Sequence, residues 1–597
     1  MTSRGNSSMS IPTPTPVSEL ALSAAILILS KFDHYQRQFA SITQRARLRF
    51  ENRDWPGIRA DSVERMDLYE LVLTETAEAL QHLLGDRFQE RALWLAIKSR
   101  IPPALKGRHD SDLAETFFNS VTRKVLLTVG VDREIEYFRL RSAPQRNSNV
   151  AEITTRHPAG RATTEIVREI LQSQQFNTCY ENLERDTEAV AREIDLHLWP
   201  IVGYGEFEAI EMVASPFFRN KVAYLVGRIC IAKRRYLPLV MPLYHGDNGI
   251  YVDTALLSER DVSVVFSFAF SYFLVENNCP DTLIYFLRSI LPDKPVAELY
   301  VSIGRNKHGK TEFYRDLHRF VHRSHEQFMI APGREGSVMI VFTLPDYEFV
   351  FKVIKDYPCY LRSLDQTAKT ADRQEVMWRY DLVRHRDRVG RMVDTQEFEN
   401  LRFRRWRFSD QLIAEFALAA RGTITLETNH VVINHLYVQR RVTPLLMYLM
   451  QEKDPELIRR VVLDFGYFLK DLAATGVFPS DLFNIWNYGV TRRGRVVLFD
   501  YDDVWPLEKP NFRDKPEPRD EFEEMESEHE WIVALQDDFF MDEIERFSGM
   551  PDRLRGVFRS VHADLYRAEF WRDMQRRVRA GEVVDITPYD LSRRFRR

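Results

Sequence analysis

Asp481, Asn487 and Asp500 have the types and order of a site that moves a phosphoryl group. An Asp orients and deprotonates a hydroxyl, while an Asn and a strand-end Asp hold Mg2+ between the phosphates of ATP. Upstream, a turn holding Gly333 and Gly336 precedes an apolar run, Val338 to Phe342. A second apolar run, Phe349 to Ile354, carries Lys352, and Lys355 follows it. Both runs are rich in β-branched and aromatic residues, which predicts a hairpin. Glycines let a backbone approach an anion without a Cβ clash, and a lysine on the next strand neutralises phosphate charge. The alternative is an ordinary hairpin with a surface lysine. Lys355 competes with Lys352 for the role, since strand alternation puts them on opposite faces.

Other residues compete for attention. His385-Arg386-Asp387 has the composition of a kinase catalytic loop but comes too soon after Lys352 and lacks a closely following Asn. Asp387 among arginines reads either as a salt-bridged group or as a base held near phosphate-binding arginines. Glu415, on a predicted helix over 410–420, is a candidate partner for the strand lysine. Gly304 to Thr311 formally matches the GxxxxGK[ST] phosphate loop, with Lys310 as its lysine and Leu299 to Ile303 as the expected preceding strand. No run of parallel βα units surrounds it, as that fold requires.

These groups need two kinds of scaffold. To about residue 300 the apolar spacing is mostly helical, over 61–99, 109–124, 163–200, 262–275 and 281–291. Ala223 to Ile229 and Leu237 to Leu243 read as strands, and Pro102-Pro103 and 142–162 as loops. The apolar stretch Leu20 to Leu29 is too short for a membrane span and reads as the buried part of a long amphipathic helix. Farther on, strands are expected over 423–426 and 431–438, and helices over 444–452 and 455–475. The expected fold class is α+β. A loose polar tail precedes the mostly helical part.

At 597 residues the chain is long enough for more than one core. A net charge of −4 and a pI near 6.5 argue against a generally basic nucleic-acid binder. Cys179, Cys230, Cys279 and Cys359 lie far apart, without zinc-site spacing, which fits a reducing cytoplasm.

Several long stretches resemble the bacterial isocitrate dehydrogenase kinase/phosphatase family. They are APGREGSVMIVFTLPDYEFVFKVIKD (331–356), HRDRVGRMVDTQEFENLRF (385–403), VINHLYVQRRVTPL (432–445), NYGVTRRGRVVLFDYDD (487–503) and HADLYRAEFWRDMQRR (562–577). KHGKTEFYRD (307–316) is also similar to the family, which weakens the phosphate-loop reading of Lys310. The resemblance implies a bifunctional enzyme that phosphorylates and dephosphorylates a serine of NADP-dependent isocitrate dehydrogenase. That switch sets flux between the tricarboxylic acid cycle and the glyoxylate bypass.

The resemblance implies a flexible tail (1–16), a mainly helical regulatory domain (17–325) and a bilobal protein-kinase-like domain (326–597), and it also assigns residues. Ala331, Pro332, Gly333, Arg334, Glu335, Gly336 and Ser337 match the ATP-binding loop, and Lys352 matches the ATP-binding lysine. Asp481 matches the catalytic Asp of the kinase, and Asn487 and Asp500 match the metal ligands. Asp387 matches an acidic residue tied to phosphatase activity. The implied ligands are ATP, ADP and Mg2+, with Mn2+ as the alternative ion and AMP as allosteric effector. A homodimer in the bacterial cytoplasm is implied, with no nucleic-acid or membrane partner. Two departures stand out. Five residues separate Asp481 from Asn487 where a kinase loop usually has four, which makes Asn484 a rival. Glu335 also places negative charge near phosphates, which weakens ATP binding unless its side chain turns outward. Two alternatives remain: a kinase-like scaffold that binds isocitrate dehydrogenase without chemistry, and an NTPase built on Lys310.

Overall fold

A computed structural model describes residues 17–138, 149–202, 207–232, 235–267, 272–333, 336, 338–356, 373–388, 390–482, 484–515, 537–541 and 550–595. The expected tail (1–16) and Cys359 lie outside these residues. The chain divides into two compact units, residues 1–40 with 67–139, and residues 41–66 with 140–597.

The first unit is helical, built from parts of α1 (Val17–Glu51) and α2 (Trp55–Leu84) with α3 (Arg91–Leu105) and α4 (Ser111–Leu126). Phe32, Tyr35, Trp94, Phe117 and Phe118 fill its core. The apolar start of α1 is only half buried. Ala21, Ala24, Ala25 and Ile28 face inward, whereas Leu22 and Ile26 are 47% and 59% exposed. The 3.6-residue period leaves those two on the outer face. Pro102 and Pro103 lie inside α3, not in a loop. Pro102 has no N–H for the Lys98 carbonyl, and the Tyr137 hydroxyl donates to that oxygen instead, at 2.6 Å.

The second unit begins with an antiparallel sheet. Its strands are β1 (Thr154–Pro158), β2 (Ala209–Val213), β3 (Phe217–Arg219), β4 (Val222–Ile231), β5 (Arg235–Gly246) and β6 (Gly249–Val252), in the order β1-β2-β4-β5-β6 with β3 beside β4. Alternation along β4 sends Ala223 and Leu225 into one core and Tyr224 and Val226 into another. α5 (Thr163–Ser173) and α6 (Leu183–Val202) replace the single helix expected over 163–200. β1 falls in the expected loop. α7 (Glu259–Val265) is shorter than predicted, and Leu274 instead exchanges backbone hydrogen bonds with Phe218.

α8 (Pro280–Ile290), α9 (Val296–Ser302) and α10 (Asn306–Arg323) follow. The expected strand over 299–303 is therefore helical, and Lys310 sits within α10 with its Nζ 4.8 Å from the centre of the Phe398 ring. A phosphate loop needs a strand feeding a glycine turn. Here a helix, not a strand, feeds the Gly304 turn, and Lys310 lies inside the next helix, so the NTPase reading fails.

The upper lobe of the kinase-like part is a second antiparallel sheet. It comprises β7 (Met329–Ile330), β8 (Met339–Thr343), β9 (Phe349–Ile354), β10 (Thr395–Arg404), β11 (Ile424–Leu426) and β12 (His430–Arg440), ordered β10-β12-β9-β8-β7 with β11 on β12. α11 (Arg373–Arg386) lies between β9 and β10 in sequence, and α12 (Asp410–Ala419) between β10 and β11. β13 (Thr443–Pro444) leads into the lower lobe, with α13 (Leu445–Gln451), α14 (Pro455–Thr475), β14 (Val477–Pro479), β15 (Tyr488–Val490), β16 (Val496–Leu498) and β17 (Val504–Pro506). Phe465, Phe468, Phe478, Tyr488 and Trp571 are among its core residues. α14 shows its limits in sequence: the Asp454 carboxylate accepts from the Glu456 N–H at 2.9 Å, Pro455 opens the first turn and Gly476 closes the last. The architecture is α+β. Among the described residues no helix is long and apolar enough to cross a membrane.

Candidate active site

Short strand pairs bring the carboxylates together. Pro479 on β14 pairs with Val504 on β17, and Ser480 donates to the Asp503 carbonyl from both its N–H and its hydroxyl, at 2.7 and 2.9 Å. Asp481 is thereby set next to the Asp500–Asp503 turn. On the other side β15 pairs with β16, and the Phe499 N–H reaches the Asn487 carbonyl at 3.4 Å. This pairing puts Asn487 beside Phe499, one residue from Asp500. Asn484 instead donates to the Asp481 carboxylate at 2.8 Å, while Asn487 reaches the same oxygen at 3.4 Å. The extra residue in the loop is taken up by a single 3-10 turn, Ile485–Asn487.

Lys352 arrives from the upper lobe. On β9 it lies in register between Val341 of β8 and Tyr437 of β12. Its buried ammonium donates to the Phe499 carbonyl at 2.8 Å and lies 3.9 Å from Asp500 Oδ1. Lys355 points elsewhere, with its Nζ 3.7 Å from Glu415. Glu415 is therefore the partner of Lys355 rather than of Lys352, because an odd spacing along a strand reverses the face. At the glycine turn, the Ala331 N–H is bonded to the Val341 carbonyl at 2.9 Å, which fixes where Ala331-Pro332-Gly333 leaves β7. A Cβ on Gly336 would stand 2.6 Å from the Met339 carbonyl oxygen, so only glycine fits without a shift. Arg334, Glu335 and Ser337 lie outside the described residues.

The cleft carries excess negative charge. Burial, then Asp500, pushes the Asp502 carboxyl well above the usual carboxylate range, against the pull of Lys352. The same two causes raise Asp503 to about 6, although the Arg379 guanidinium lies 3.7 Å away. Asp502 Oδ1 is buried without a hydrogen-bond partner among the described residues. Among those residues no three His, Cys, Asp or Glu side chains converge on one metal position. A magnesium ion commonly takes one or two carboxylates plus nucleotide phosphates. An acidic turn with an orphaned oxygen fits an ion shared in that way by Asn487 and Asp500. Sequence reasoning passed over Asp502 and Asp503 as part of an acidic turn, although the run of three aspartates was the available signal. Arg379 had no local signal.

Asp387 lies elsewhere. It follows α11, is 1% exposed, and its Oδ1 accepts from the Gly390 N–H at 3.3 Å. With Arg59, Arg384 and Arg388 it lines a narrow cavity of about 20 Å³ that none of Lys352, Asp481, Asn487 and Asp500 borders. Arg388 is 5% exposed and donates to the Ala474 carbonyl at 2.6 Å, while its Nε and Nη1 have no partner among the described residues. Burial, then Arg59, pushes its pKa down to about 10. The cavity is nevertheless tied to the cleft through the backbone. Arg391 and Val393 exchange hydrogen bonds with Leu498 of β16, at 2.7 and 2.9 Å, and the Tyr501 hydroxyl donates to the Val393 carbonyl. Tyr380 of α11 stacks on Tyr437 at 3.9 Å and meets Tyr501 edge-on at 5.0 Å.

A lysine from an upper sheet, a lower-lobe Asp held by two amides, and an acidic strand end are the parts of a phosphotransfer site. The family model described as isocitrate dehydrogenase kinase/phosphatase (AceK), regulatory domain, matches residues 25–325, and the kinase-domain model of the same family matches 326–591. Curated proteins named isocitrate dehydrogenase kinase/phosphatase are similar over almost their whole length. The one from Anaeromyxobacter sp. (strain Fw109-5) is 42% identical, covering 97% of this chain and 98% of its own. Those from Paracidovorax citrulli and Serratia proteamaculans are 37% and 36% identical, covering 97% of this chain and 98% and 97% of their own. The chain belongs to the isocitrate dehydrogenase kinase/phosphatase family.

Proposed function

We propose that this chain phosphorylates a serine of NADP-dependent isocitrate dehydrogenase with ATP and removes that phosphate again, and so controls flux between the tricarboxylic acid cycle and the glyoxylate bypass. The observation that carries this reading is the meeting of Lys352, Asp481, Asn487 and Asp500 where the upper sheet faces the lower lobe. A scaffold without chemistry has no need of that constellation.

In the forward direction the Ala331–Ser337 turn and Lys352 hold the nucleotide phosphates. Asp481, fixed by Asn484 and Asn487, accepts the serine hydroxyl proton and aims the oxygen at the γ-phosphorus. The new O–P bond forms as the bond to the β–γ bridging oxygen breaks, and ADP leaves. Asn487 and Asp500 would hold Mg2+, or Mn2+, which supplies charge neutralisation at the phosphates. In the reverse direction water attacks the phosphoserine phosphorus as the seryl O–P bond breaks, the serine oxygen takes a proton, and inorganic phosphate leaves with ADP retained in the cleft.

Asp387 is assigned to dephosphorylation as a positioning residue, acting through residues 391–393 and β16 rather than by touching the phosphate. The cluster of Arg59, Arg384 and Arg388 beside it suits the phosphate of AMP, the proposed effector, once the narrow cavity widens. A homodimer in the bacterial cytoplasm completes the reading. The test is transfer of label from ATP to purified bacterial isocitrate dehydrogenase with Mg2+, followed by a chase with AMP and excess ADP. Label should appear and then leave. Absence of transfer with ATP binding intact would favour the scaffold.

A further inference from the structure

The upper sheet joins the lower lobe through a short linker. β12 ends at Arg440, and Arg441 and Val442 lead to β13, which pairs with β15. Opening or closing the cleft changes the backbone at such a link. The β8–β9 turn of the upper lobe stands beside it. Arg441 fixes that turn, donating its N–H to the Glu348 carbonyl at 2.7 Å and its Nη2 to the Leu344 and Tyr347 carbonyls at 2.9 and 2.8 Å. The Glu348 carboxylate then spans the junction. One oxygen accepts from Arg440 at 2.9 Å, and the other lies 2.5 Å from Arg492, in the turn between β15 and β16. Arg440 pairs in register with Phe349 and is also held by Glu298 of α9 at 2.8 Å, so it anchors the carboxylate on the upper side. Arg492 is the contact that crosses to the lower lobe. The hairpin it caps carries the metal-site residues at its far end. β15 begins at Tyr488, next to Asn487, and β16 ends at Leu498, two residues before Asp500. Linker and hairpin are also packed together, since a Cβ on Gly489 would stand 2.8 Å from the Val442 Cβ.

We propose that Glu348 is a positioning residue, a latch that ties the upper lobe to the hairpin bearing Asn487 and Asp500 and slows opening of the cleft. Its consequence for the reaction rests on the function proposed above. Dephosphorylation keeps ADP in the cleft, whereas every round of phosphorylation has to release it. The latch lengthens the stay of ADP and so favours dephosphorylation. The Arg492 side chain is 79% exposed, so its pair with Glu348 is weak and screened by salt. That suits a contact that breaks and re-forms at each turnover.

The test is release of a fluorescent ADP analogue, bound with Mg2+ to the full chain and chased with unlabelled ADP in a stopped-flow instrument. Glu348→Gln should speed release by about threefold to fivefold, the scale of a lost ion pair. Arg492→Gln should speed it by a similar factor, and the double variant by no more than Glu348→Gln alone. Because Arg492 is exposed, its variant decides the matter if Glu348→Gln fails to fold. Glu427→Gln removes an exposed pair with Arg402 elsewhere on the upper sheet and should leave release unchanged. Added salt should speed release from the unaltered chain more than from Glu348→Gln. In both latch variants dephosphorylation should fall relative to phosphorylation. Unchanged release in Glu348→Gln and Arg492→Gln, additive effects in the double variant, or equal acceleration by Glu427→Gln overturns the latch. Release is read without phosphoryl transfer, so absence of label transfer would count against the phosphotransfer reading alone.

Discussion

Arg388 and Arg391 lie three residues apart, both buried, and they behave oppositely. Arg391 is paired with Asp464 at 2.7 and 2.9 Å and with Asp471 at 2.7 Å, and these carboxylates raise its pKa despite burial. Arg388 donates to a backbone carbonyl, and burial and then Arg59 lower its pKa against the pull of the neighbouring Asp387. A buried charge that is not hydrogen-bonded to its counterion is costly, whereas a paired one with good hydrogen bonds is tolerated. The first arrangement is structural. The second leaves the Nε and Nη1 of Arg388 without a hydrogen-bond partner among the described residues. The catalytic cleft shows a related device with the opposite sign, since Asp500, Asp502 and Asp503 crowd together with Lys352 and Arg379 as the cations beside them among the described residues. Uncompensated charge on rigid elements therefore marks where this molecule is prepared for an ion, and compensated charge marks where it is held together.

The largest expected effect tests the cleft. Asp481→Ala should lower single-turnover phosphotransfer by roughly 10³-fold, within the range for loss of a general base. Retained transfer would remove Asp481 from the chemistry. Next, Arg391→Gln should cost about 2 kcal/mol or more in urea unfolding, because it removes the charge partner of two half-buried carboxylates, Asp464 and Asp471. Arg388→Gln should leave the unfolding midpoint unchanged or higher and abolish the response to AMP. Equal destabilisation by both variants would erase the contrast between the arginines.

Asp387→Ala should slow dephosphorylation by about tenfold more than phosphorylation, a coupling of typical allosteric size. Asp502→Asn, measured alongside, tests whether the buried acid in the cleft is the more direct participant. Equal loss of both activities in Asp387→Ala would withdraw its separate role.

The smallest effect concerns pH. Asp503 has a folded pKa of about 6, above the ordinary carboxylate value of 3.8. Between those pH values the unfolded chain ionises while the folded chain stays neutral at this group, so its contribution to stability falls as pH rises and is lost above about 6. A bound cation favours the ionised form and reverses the trend. The rise in Tm produced by Mg2+ with ADP should therefore grow by a few degrees as pH increases through about 6. Asp503→Asn should flatten that dependence. An unchanged slope would mean that Asp503 does not feel the ion.

Local signals made much of the fold legible. The 455–475 helix has its predicted limits because a capping Asp, a first-turn Pro and a terminal Gly act within a few residues. The 339–354 hairpin followed from two β-rich runs flanking a turn. Short apolar runs were less informative. Leu299 to Ile303 is compatible with strand or helix, and packing of α9 against α10 decided for helix. Pro102 and Pro103 escaped because a tyrosine distant in sequence satisfies the carbonyl that Pro102 cannot.

By itself the sequence determined the chemical inventory: a glycine turn, two strand lysines, Asp481, two nearby amides and an acidic strand end, in the order of a phosphotransfer site. It also determined the family, because long motifs carry that information. Tertiary structure alone decided which lysine faces the carboxylates, which asparagine stands next to Asp500, and that Asp387 borders an arginine-lined cavity. Those choices depend on β9–β12 register, β15–β16 pairing and the bonding of residues 391–393 to β16. Each joins segments tens of residues apart, and the energy that selects it comes from burial and hydrogen bonds that no short stretch of the chain contains.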